Sequence, residues 1–308
     1  MSTFLDFFKI SPLSVKVEFF NPDLEKDSPQ FIDSYYLTWA NDDYSKRALQ
    51  TQKIFMEELM LALKNEDNDK AFQLCSHFSE PKFTGIGVSK NSVNGRGSKD
   101  IKVERIISCL KASEAAKTGN LEDLEDLILV TEGIGADTIS DITTNICLKH
   151  FAEYTKDQCL KLGIPLEETS QYFYYFYDST RKWKKSKFEL PHAPWGMNKC
   201  YGPVVLLPSQ ILDSIISYSH NYLFTNIATP IYKDEALTKF PLASFIYSVK
   251  STGEKRVKAK QLREQHPEYR GNKKNMDKLI VSNPRLLKEY REKVARKRYL
   301  KRKGKKED

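Results

Sequence analysis

Apolar side chains recur at every third or fourth position in several long stretches, and this period is typical of amphipathic helices. The clearest stretch covers residues 45–64, where the apolar positions are Ile54, Met56, Leu59, Met60 and Leu63. The same spacing predicts helices over about 99–116 and 121–130. A further helix should begin at Asp137 or Thr138, either of which could act as its N-cap, and continue to Leu162.

Shorter segments predict β-strands. Residues 13–20 alternate apolar and polar side chains, and residues 172–177 form the aromatic run YFYYFY. Residues 204–208 (VVLLP) are nearly all apolar, which is typical of a strand buried on both faces. Ser209 can cap a short helix that runs through Ile211, Leu212, Ile215 and Ile216, and another strand is predicted over 242–249. This mixture predicts an α+β fold.

Charge is divided along the chain. Residues 250–308 carry 22 Lys and Arg against 8 Asp and Glu, whereas residues 1–249 carry 27 against 33. We therefore predict a mixed α/β body over residues 1–249, in which two subdomains could meet near residue 165, and a basic helical module over 250–308. Three short helices are expected in the module: Val257–Gln265, Asn272–Val281, and one capped by Asn283. A basic segment on a mildly acidic body is typical of proteins that bind nucleic acid.

Cysteine usage and hydropathy limit the compartment. The five cysteines are odd in number and form no CxxC pair, so neither a disulfide framework nor a zinc site is indicated. No apolar run approaches the roughly 20 residues of a membrane helix, and no leader pattern precedes the first strand. We expect a soluble, cytoplasmic protein with no membrane partner.

The last predicted helix is the strongest candidate for a nucleic-acid contact. Leu287, Tyr290 and Val294 form a short apolar stripe that can dock on the body, and most other positions are basic. We expect the outer half to contact phosphates, with DNA favoured over RNA. A merely solubilising tail is the alternative. The expected contacts are Arg291, Lys293, Arg296, Lys297, Arg298, Lys301, Arg302 and Lys303.

A glycine-rich loop offers a second basic site. The sequence GIGVSKNSVNGRGSK leads into the helix predicted at Lys99, and backbone N–H groups at a helix N-terminus can hold a phosphate beside Arg96 and Lys99. The loop lacks the Gly-Lys-Ser/Thr end of a Walker A loop. A mobile surface loop explains the same composition.

An acidic cluster could hold a metal. Asp137 and Asp141 lie four residues apart at the start of a predicted helix, and Glu132 precedes them across a two-glycine turn. Oxygen ligands of this kind suit Mg²⁺, so we predict a magnesium site on Asp137 and Asp141. Helix capping explains the same residues without a metal.

A magnesium nuclease would need further carboxylates and a nearby lysine. Glu104, Asp137 and Glu189 with Lys187 occur in an order similar to that of restriction-endonuclease-like enzymes. Together with Glu132 and Asp141 they form the candidate catalytic set. The order Lys187-Phe188-Glu189 reverses the Glu-x-Lys pattern of that class.

The aromatic run 172–177 allows two interpretations. Tyr and Phe rings can stack single-stranded bases, and Arg181, Lys182, Lys184 and Lys185 follow the run. A buried strand explains the aromatic residues more simply, because aromatic side chains favour sheets, and we favour it.

Three segments are similar to uncharacterised prokaryotic proteins found near restriction and phage-defence genes: GIGADTISDITTNI, the LP and LLP strand ends at 190–191 and 206–208, and NPRLLKEY at 283–290. The resemblance covers about a third of the chain and implies no activity. We hypothesise that the protein binds nucleic acid. The second part of the hypothesis is a metal-dependent nuclease activity in defence against foreign DNA. The alternative is a non-catalytic adaptor or regulatory subunit that places a protein partner on nucleic acid.

Overall fold

The computed structural model describes residues 3–11, 14–38, 40–87, 98–196, 198–214 and 218–302. It has the predicted α+β fold, in which helices dominate and strands are short. The helices are α1 (Phe4–Phe7), α2 (Ser34–Leu37), α3 (Asp43–Lys64), α4 (Asn68–Cys75), α5 (Ser98–Ala112), α6 (Glu114–Lys117), α7 (Leu127–Val130), α8 (Ala136–Ile146), α9 (Leu148–Leu162), α10 (His220–Leu223), α11 (Thr229–Lys239), α12 (Ala259–Gln265), α13 (Lys273–Ser282) and α14 (Leu286–Arg302).

Among the described residues, the strands pair two by two, and every pair is antiparallel. β1 pairs with β8, β2 with β5, β3 with β4, β6 with β7, and β9 with β10. The strands are β1 (Phe31–Ile32), β2 (Glu167–Glu168), β3 (Phe173–Tyr177), β4 (Lys182–Ser186), β5 (Glu189–Leu190), β6 (His192–Trp195), β7 (Cys200–Pro203), β8 (Leu212–Asp213), β9 (Ile246–Ser248) and β10 (Lys255–Val257).

The chain divides into two compact units. Unit 1 comprises Met1–Ser108, Glu122–Glu125 and Gly133–Ile216, and unit 2 comprises Cys109–Leu121, Asp126–Glu132 and Ser217–Asp308. The division differs from the predicted boundary at residue 250, because charge marks a surface whereas apolar contacts define a unit. No boundary falls near residue 165, since Ile164 and Ala193 share one apolar cluster.

Helix α3 is the central support of unit 1. Asp42 caps it by accepting a hydrogen bond from the Ser45 N–H at 2.7 Å. Its apolar face, which includes Phe55 and Leu59, is buried and packs against α8 and α9. The predicted helix over 45–64 is therefore confirmed.

The predicted helix from Asp137 to Leu162 is divided into α8 and α9. The interruption lies at Cys147, whose thiol donates a hydrogen bond to the Ala48 carbonyl at 3.3 Å. The predicted end is confirmed, because Gly163 adopts the left-handed conformation, with φ of 66°. The predicted N-cap is wrong: Gly135 occupies that position, and no side chain caps the helix there.

Two predicted strands of unit 1 form no ladder in the described part of the chain. Val204, Val205, Leu206 and Leu207 are almost completely buried, as expected, but their N–H groups find mixed partners. Leu206 donates to the hydroxyl of Thr155, for example, at 2.9 Å. Within the described part of 13–20, only a single bridge forms, between Phe19 and Pro208. The helix predicted after Ser209 is shorter than expected: a 3-10 helix covers Ser209–Ile211, and Leu212 already belongs to β8.

Unit 2 confirms most of the predicted C-terminal pattern. The predicted strand over 242–249 contains β9, and Gly253, with φ of 71°, lies in the turn that leads to β10. Asn272 caps α13 by accepting from the Asn275 N–H at 2.8 Å. The helix predicted over 99–116 ends early as α5, because Ser113 starts the separate helix α6. No helix in the described part of the chain is long and apolar enough to cross a membrane.

Candidate nucleic-acid interface

The positive charge of the protein belongs to unit 2. This unit carries 26 Lys and Arg against 13 Asp and Glu, whereas unit 1 carries 23 against 28. The net charge is therefore +13 for unit 2 and −5 for unit 1, close to the values on the two sides of residue 250. The segments that unit 2 takes from the middle of the chain therefore leave its basic character unchanged.

Helix α14 is anchored in unit 2 by Tyr290 and Val294, which are completely buried. The Tyr290 hydroxyl donates to the Ser219 carbonyl at 2.9 Å and accepts from the Ser219 N–H at 2.8 Å. Its ring also packs against Tyr218, with the ring centroids 4.6 Å apart. The predicted apolar stripe is confirmed, and it holds the helix in a fixed orientation.

Arg291 belongs to this anchor and not to the outer face. Its guanidinium forms an ion pair with Asp126, which also accepts a hydrogen bond from the Tyr218 hydroxyl. The Asp126 side chain is completely buried, and that of Arg291 is 12% exposed. The expected phosphate contact at Arg291 is therefore wrong in its placement, because a carboxylate inside the protein already holds the charge.

Arg298 is also misplaced by the sequence pattern. The whole residue is only 1% exposed, although we expected it on the solvent side. Positions 287, 291, 294 and 298 follow one another at three- and four-residue steps, so they share one face of the helix. The buried face is therefore longer than its apolar residues suggest, and it includes two arginines.

The exposed cations of α14 are Lys288, Lys293, Arg296 and Lys301. Lys297 is half-buried, and its ammonium group lies 4.5 Å from the ring centroid of Tyr222. The acidic residues of the helix, Glu289 and Glu292, lie in its first two turns. All charged residues in its later turns are basic. The side chain of Arg302 and the whole of Lys303 lie outside the described residues.

Unit 2 has further exposed basic residues that the sequence pattern did not single out as phosphate contacts. Arg256 on the β9–β10 hairpin pairs with Glu254 at 2.8 Å, and exposed lysines lie close to it in sequence. These residues all lie in the basic segment 250–308, but we expected phosphate contacts only on the last helix and the glycine-rich loop. The exposed lysines on the hairpin, α12 and α13 are Lys250, Lys255, Lys258, Lys260, Lys274 and Lys278.

The basic side chains of the glycine-rich loop fall outside the part of the chain that the structure describes. The two expected contacts are among them: the whole of Arg96 and the side chain of Lys99. The backbone of Lys99 lies in the first turn of α5, as the sequence predicted.

The acidic residues near α8 only partly come together. Asp137 is exposed in the first turn of α8, and Asp141 is half-buried one turn later. Asp27 and Glu80 lie near Asp137: burial raises the pKa of Asp27, and the charges of Glu80 and Asp137 raise it further. Sequence spacing gave no signal for these two neighbours. Glu132 belongs to unit 2, in the segment Asp126–Glu132.

Of the three remaining candidate catalytic residues, Glu189 and Lys187 have partners elsewhere. Glu189 forms a surface ion pair with Lys156. Lys187 donates to Glu168 at 3.0 Å, and this hydrogen bond raises the pKa of Lys187. Glu104 is exposed on α5. In the described ranges, no three His, Cys, Asp or Glu side chains are grouped as they would be around a metal ion. The magnesium site stays a prediction.

Comparison with known proteins leads to one family. No curated protein and no solved structure matches the chain. One family model matches residues 9–219, which is more than half of the chain and ends before α10. Most of the matched residues belong to unit 1, and the basic segment 250–308 lies outside the match. The chain belongs to the family described as a domain of unknown function, DUF8370.

Proposed function

We propose that this protein binds nucleic acid through the basic surface of unit 2. The observation that supports it most is the excess of 13 positive charges on that unit, together with exposed cations on α14, α12, α13 and the β9–β10 hairpin. Phosphates are the complementary partner of such a surface, and backbone contacts of this kind carry no base specificity. We favour DNA over RNA as the polymer.

The anchoring of α14 favours a contact surface over a solubilising tail. Tyr290 and the Arg291–Asp126 ion pair fix the first half of the helix inside unit 2. The exposed side chains of Lys293 and Arg296 then project from an ordered helix, so binding orders fewer groups and loses less entropy. A tail that only increased solubility would need neither the buried tyrosine nor the buried ion pair.

Salt-dependent binding tests the proposal. The triple variant Lys288→Gln, Lys293→Gln and Arg296→Gln removes three exposed charges from α14 without touching its buried face. The slope of log affinity against log salt should become less steep by about 0.9 for each phosphate of duplex DNA that is no longer neutralised, and affinity should fall. Fluorescence anisotropy with a labelled duplex at several salt concentrations measures both quantities. Removing α14 altogether would be a poorer test, because Tyr290 would leave the core of unit 2 with it.

A matched control is available on α3 of unit 1. Lys46, Lys53 and Lys64 are also exposed on one helix, so changing all three to Gln alters the net charge equally. This control should retain the affinity and the salt slope of the wild type. Equal losses in both triple variants would show a response to net charge, and no loss in the α14 variant would refute the proposed contact.

The nuclease half of the proposal rests on the carboxylates at the start of α8. Asp137 is exposed there and Asp141 follows one turn later, which is compatible with a shared cation. Plasmid and single-stranded DNA should be cut in Mg²⁺ or Mn²⁺ and spared by Asp137→Ala and by Asp141→Ala. Binding without cutting, unchanged in both variants, would leave the non-catalytic adaptor as the function.

The proposal places the protein in the cytoplasm, where it would meet foreign DNA. All five cysteines are free thiols, and Cys75, Cys147 and Cys159 are buried. Burial raises the pKa of Cys75 and of Cys159 to about 12, so these thiols stay protonated and unreactive. A reducing compartment is consistent with thiols of this kind.

A further inference from the structure

Two exposed tyrosines, one in β3 and one directly before it, lie at the start of the β3–β4 hairpin of unit 1. Tyr172 is 59% exposed and Tyr174 is 44% exposed. In the antiparallel register, Tyr174 lies opposite Lys185 and Phe176 lies opposite Trp183. Because side chains alternate along an extended strand, positions 172, 174 and 176 point to the same face of the hairpin.

The inner end of this face is fixed to the body of unit 1. Phe176 is buried, and its ring centroid lies 5.0 Å from that of Phe55 on α3. Trp183 packs against the same Phe55 ring, and its indole N–H donates to the Leu74 carbonyl at 2.8 Å. Phe173 is buried from the opposite face, where it meets Phe83. The predicted buried strand is therefore correct for the phenylalanines and not for the tyrosines.

The outer end of the face is an aromatic platform with lysines around it. His77 stacks on Tyr174, with the ring centroids 3.9 Å apart and the planes inclined by 16°. The ammonium groups of Lys185 and Lys187 lie 5.4 and 5.9 Å from the Tyr172 ring centroid. Lys187 is neutralised by Glu168, whereas Lys185 is exposed on the strand itself.

The chemistry of this platform selects its partner. A stiffly supported ring that remains open to water can stack on the flat face of a nucleobase, and any base offers such a face. In a duplex those faces are already covered by neighbouring base pairs, so only unpaired bases can reach the rings. Lys185, which lies opposite Tyr174 and is exposed, supplies positive charge for a phosphate on the same face.

We propose that the outer face of the β3–β4 hairpin, formed by Tyr172, Tyr174 and Lys185, binds single-stranded nucleic acid by base stacking. The site lies in unit 1, inside the residues that define the family. The basic surface that we propose for phosphate contacts belongs to the other unit, unit 2. The two sites can therefore succeed or fail independently.

Binding of a labelled oligothymidine of about 20 nucleotides, longer than the roughly 4–16 that one such site covers, tests the proposal with the full chain. The double variant Tyr172→Ala and Tyr174→Ala should bind it at least about fivefold more weakly. The double variant Tyr172→Phe and Tyr174→Phe keeps both rings and should bind like the wild type. Duplex DNA of the same length should bind equally well to all of these proteins.

Tyr201 provides a matched control on the β6–β7 hairpin of the same unit. It is 63% exposed and also stacks on a histidine, His192, with the ring centroids 5.8 Å apart. Its charged neighbour is Glu167, not a lysine, so Tyr201→Ala should leave the single-strand affinity unchanged. Circular dichroism and thermal melting of each variant confirm that the fold is retained.

The outcomes separate the two proposals. Unchanged single-strand binding in the double alanine variant, or an equal loss in Tyr201→Ala, would overturn the stacking site. An equal loss in the phenylalanine variant would show that the hydroxyls act, and would also overturn it. Displacement of the oligothymidine by an acidic peptide, with no effect of the tyrosine variants, would show that only the lysines bind. If the α14 triple variant bound duplex DNA like the wild type, the unit 2 proposal would be refuted and the stacking proposal would be unaffected.

Discussion

The buried ion pair between Asp126 and Arg291 should determine the stability of unit 2. Asp126→Ala removes the carboxylate and leaves a guanidinium whose side chain is only 12% exposed. Removal of one partner of a buried pair costs about 3–5 kcal/mol, because the remaining charge is left without compensation. Since part of Arg291 still reaches water, we expect about 3 kcal/mol from the pair. The lost hydrogen bond from Tyr218 adds about 1 kcal/mol.

Urea unfolding measures this loss, and the chain offers a useful division of signals. All three tryptophans, Trp39, Trp183 and Trp195, belong to unit 1, so tryptophan fluorescence follows that unit only. Circular dichroism follows the helices of both units. The Asp126→Ala variant should lower the free energy of unfolding derived from circular dichroism by about 3–4 kcal/mol.

A second substitution makes the reasoning refutable. Asp126→Ala combined with Arg291→Met removes both charges and fills part of the space with an apolar side chain. This double variant should recover at least about 2 kcal/mol of the loss, because no uncompensated charge remains. A single variant that loses less than about 1 kcal/mol, or a double variant no more stable than the single one, would show that the pair is not the anchor we infer.

Three further changes have clear expected results. Burial lowers the pKa of His150 from 6.5 to about 4, so His150 stabilises the fold above pH 6.5, and this contribution of up to about 3 kcal/mol should be lost as the pH falls towards 4. His150→Asn should flatten that part of the pH profile of urea unfolding; an unchanged profile would contradict the assignment. Asp277→Ala removes a buried carboxylate that accepts hydrogen bonds from the Ser113 hydroxyl at 2.6 Å and the Glu114 backbone N–H at 2.8 Å. This variant should lower the free energy of unfolding by about 2–3 kcal/mol. A loss below about 1 kcal/mol would show that water replaces the carboxylate. Gly271→Ala would place a Cβ 2.6 Å from the ring of Phe224 and should destabilise unit 2 by about 1–3 kcal/mol in the same assay, unless the ring can move aside, in which case stability would be retained.

The sequence predicted the elements whose stability depends on their own pattern. Helix α3 has a continuous apolar face, and α13 has Asn272 as its cap, so local spacing and cap chemistry were sufficient. Residues 204–207 show the limit of this reasoning. Their burial follows from composition, but the ladder that would make them a strand depends on which distant backbone lies beside them, as with Thr155 at the N–H of Leu206.

The candidate interface shows the same limit. Lys293 and Arg296 are exposed as their charge predicted, whereas Arg291 and Arg298 are mostly buried. An arginine with a carboxylate partner in the interior has the same local sequence as an arginine on the surface. The partner of Arg291, Asp126, lies 165 residues earlier in the chain, and no spacing rule connects the two.

The sequence by itself determined the fold class, the basic character of the C-terminal segment and most helix positions, because these depend on composition and on short-range periodicity. Tertiary structure decided which cations are buried, which segments form each unit and which tyrosines of the aromatic run face water. These features depend on contacts between residues far apart in the chain. The free energy of a buried charge or an open ring is set by those neighbours, and the neighbours are known only once the chain has folded.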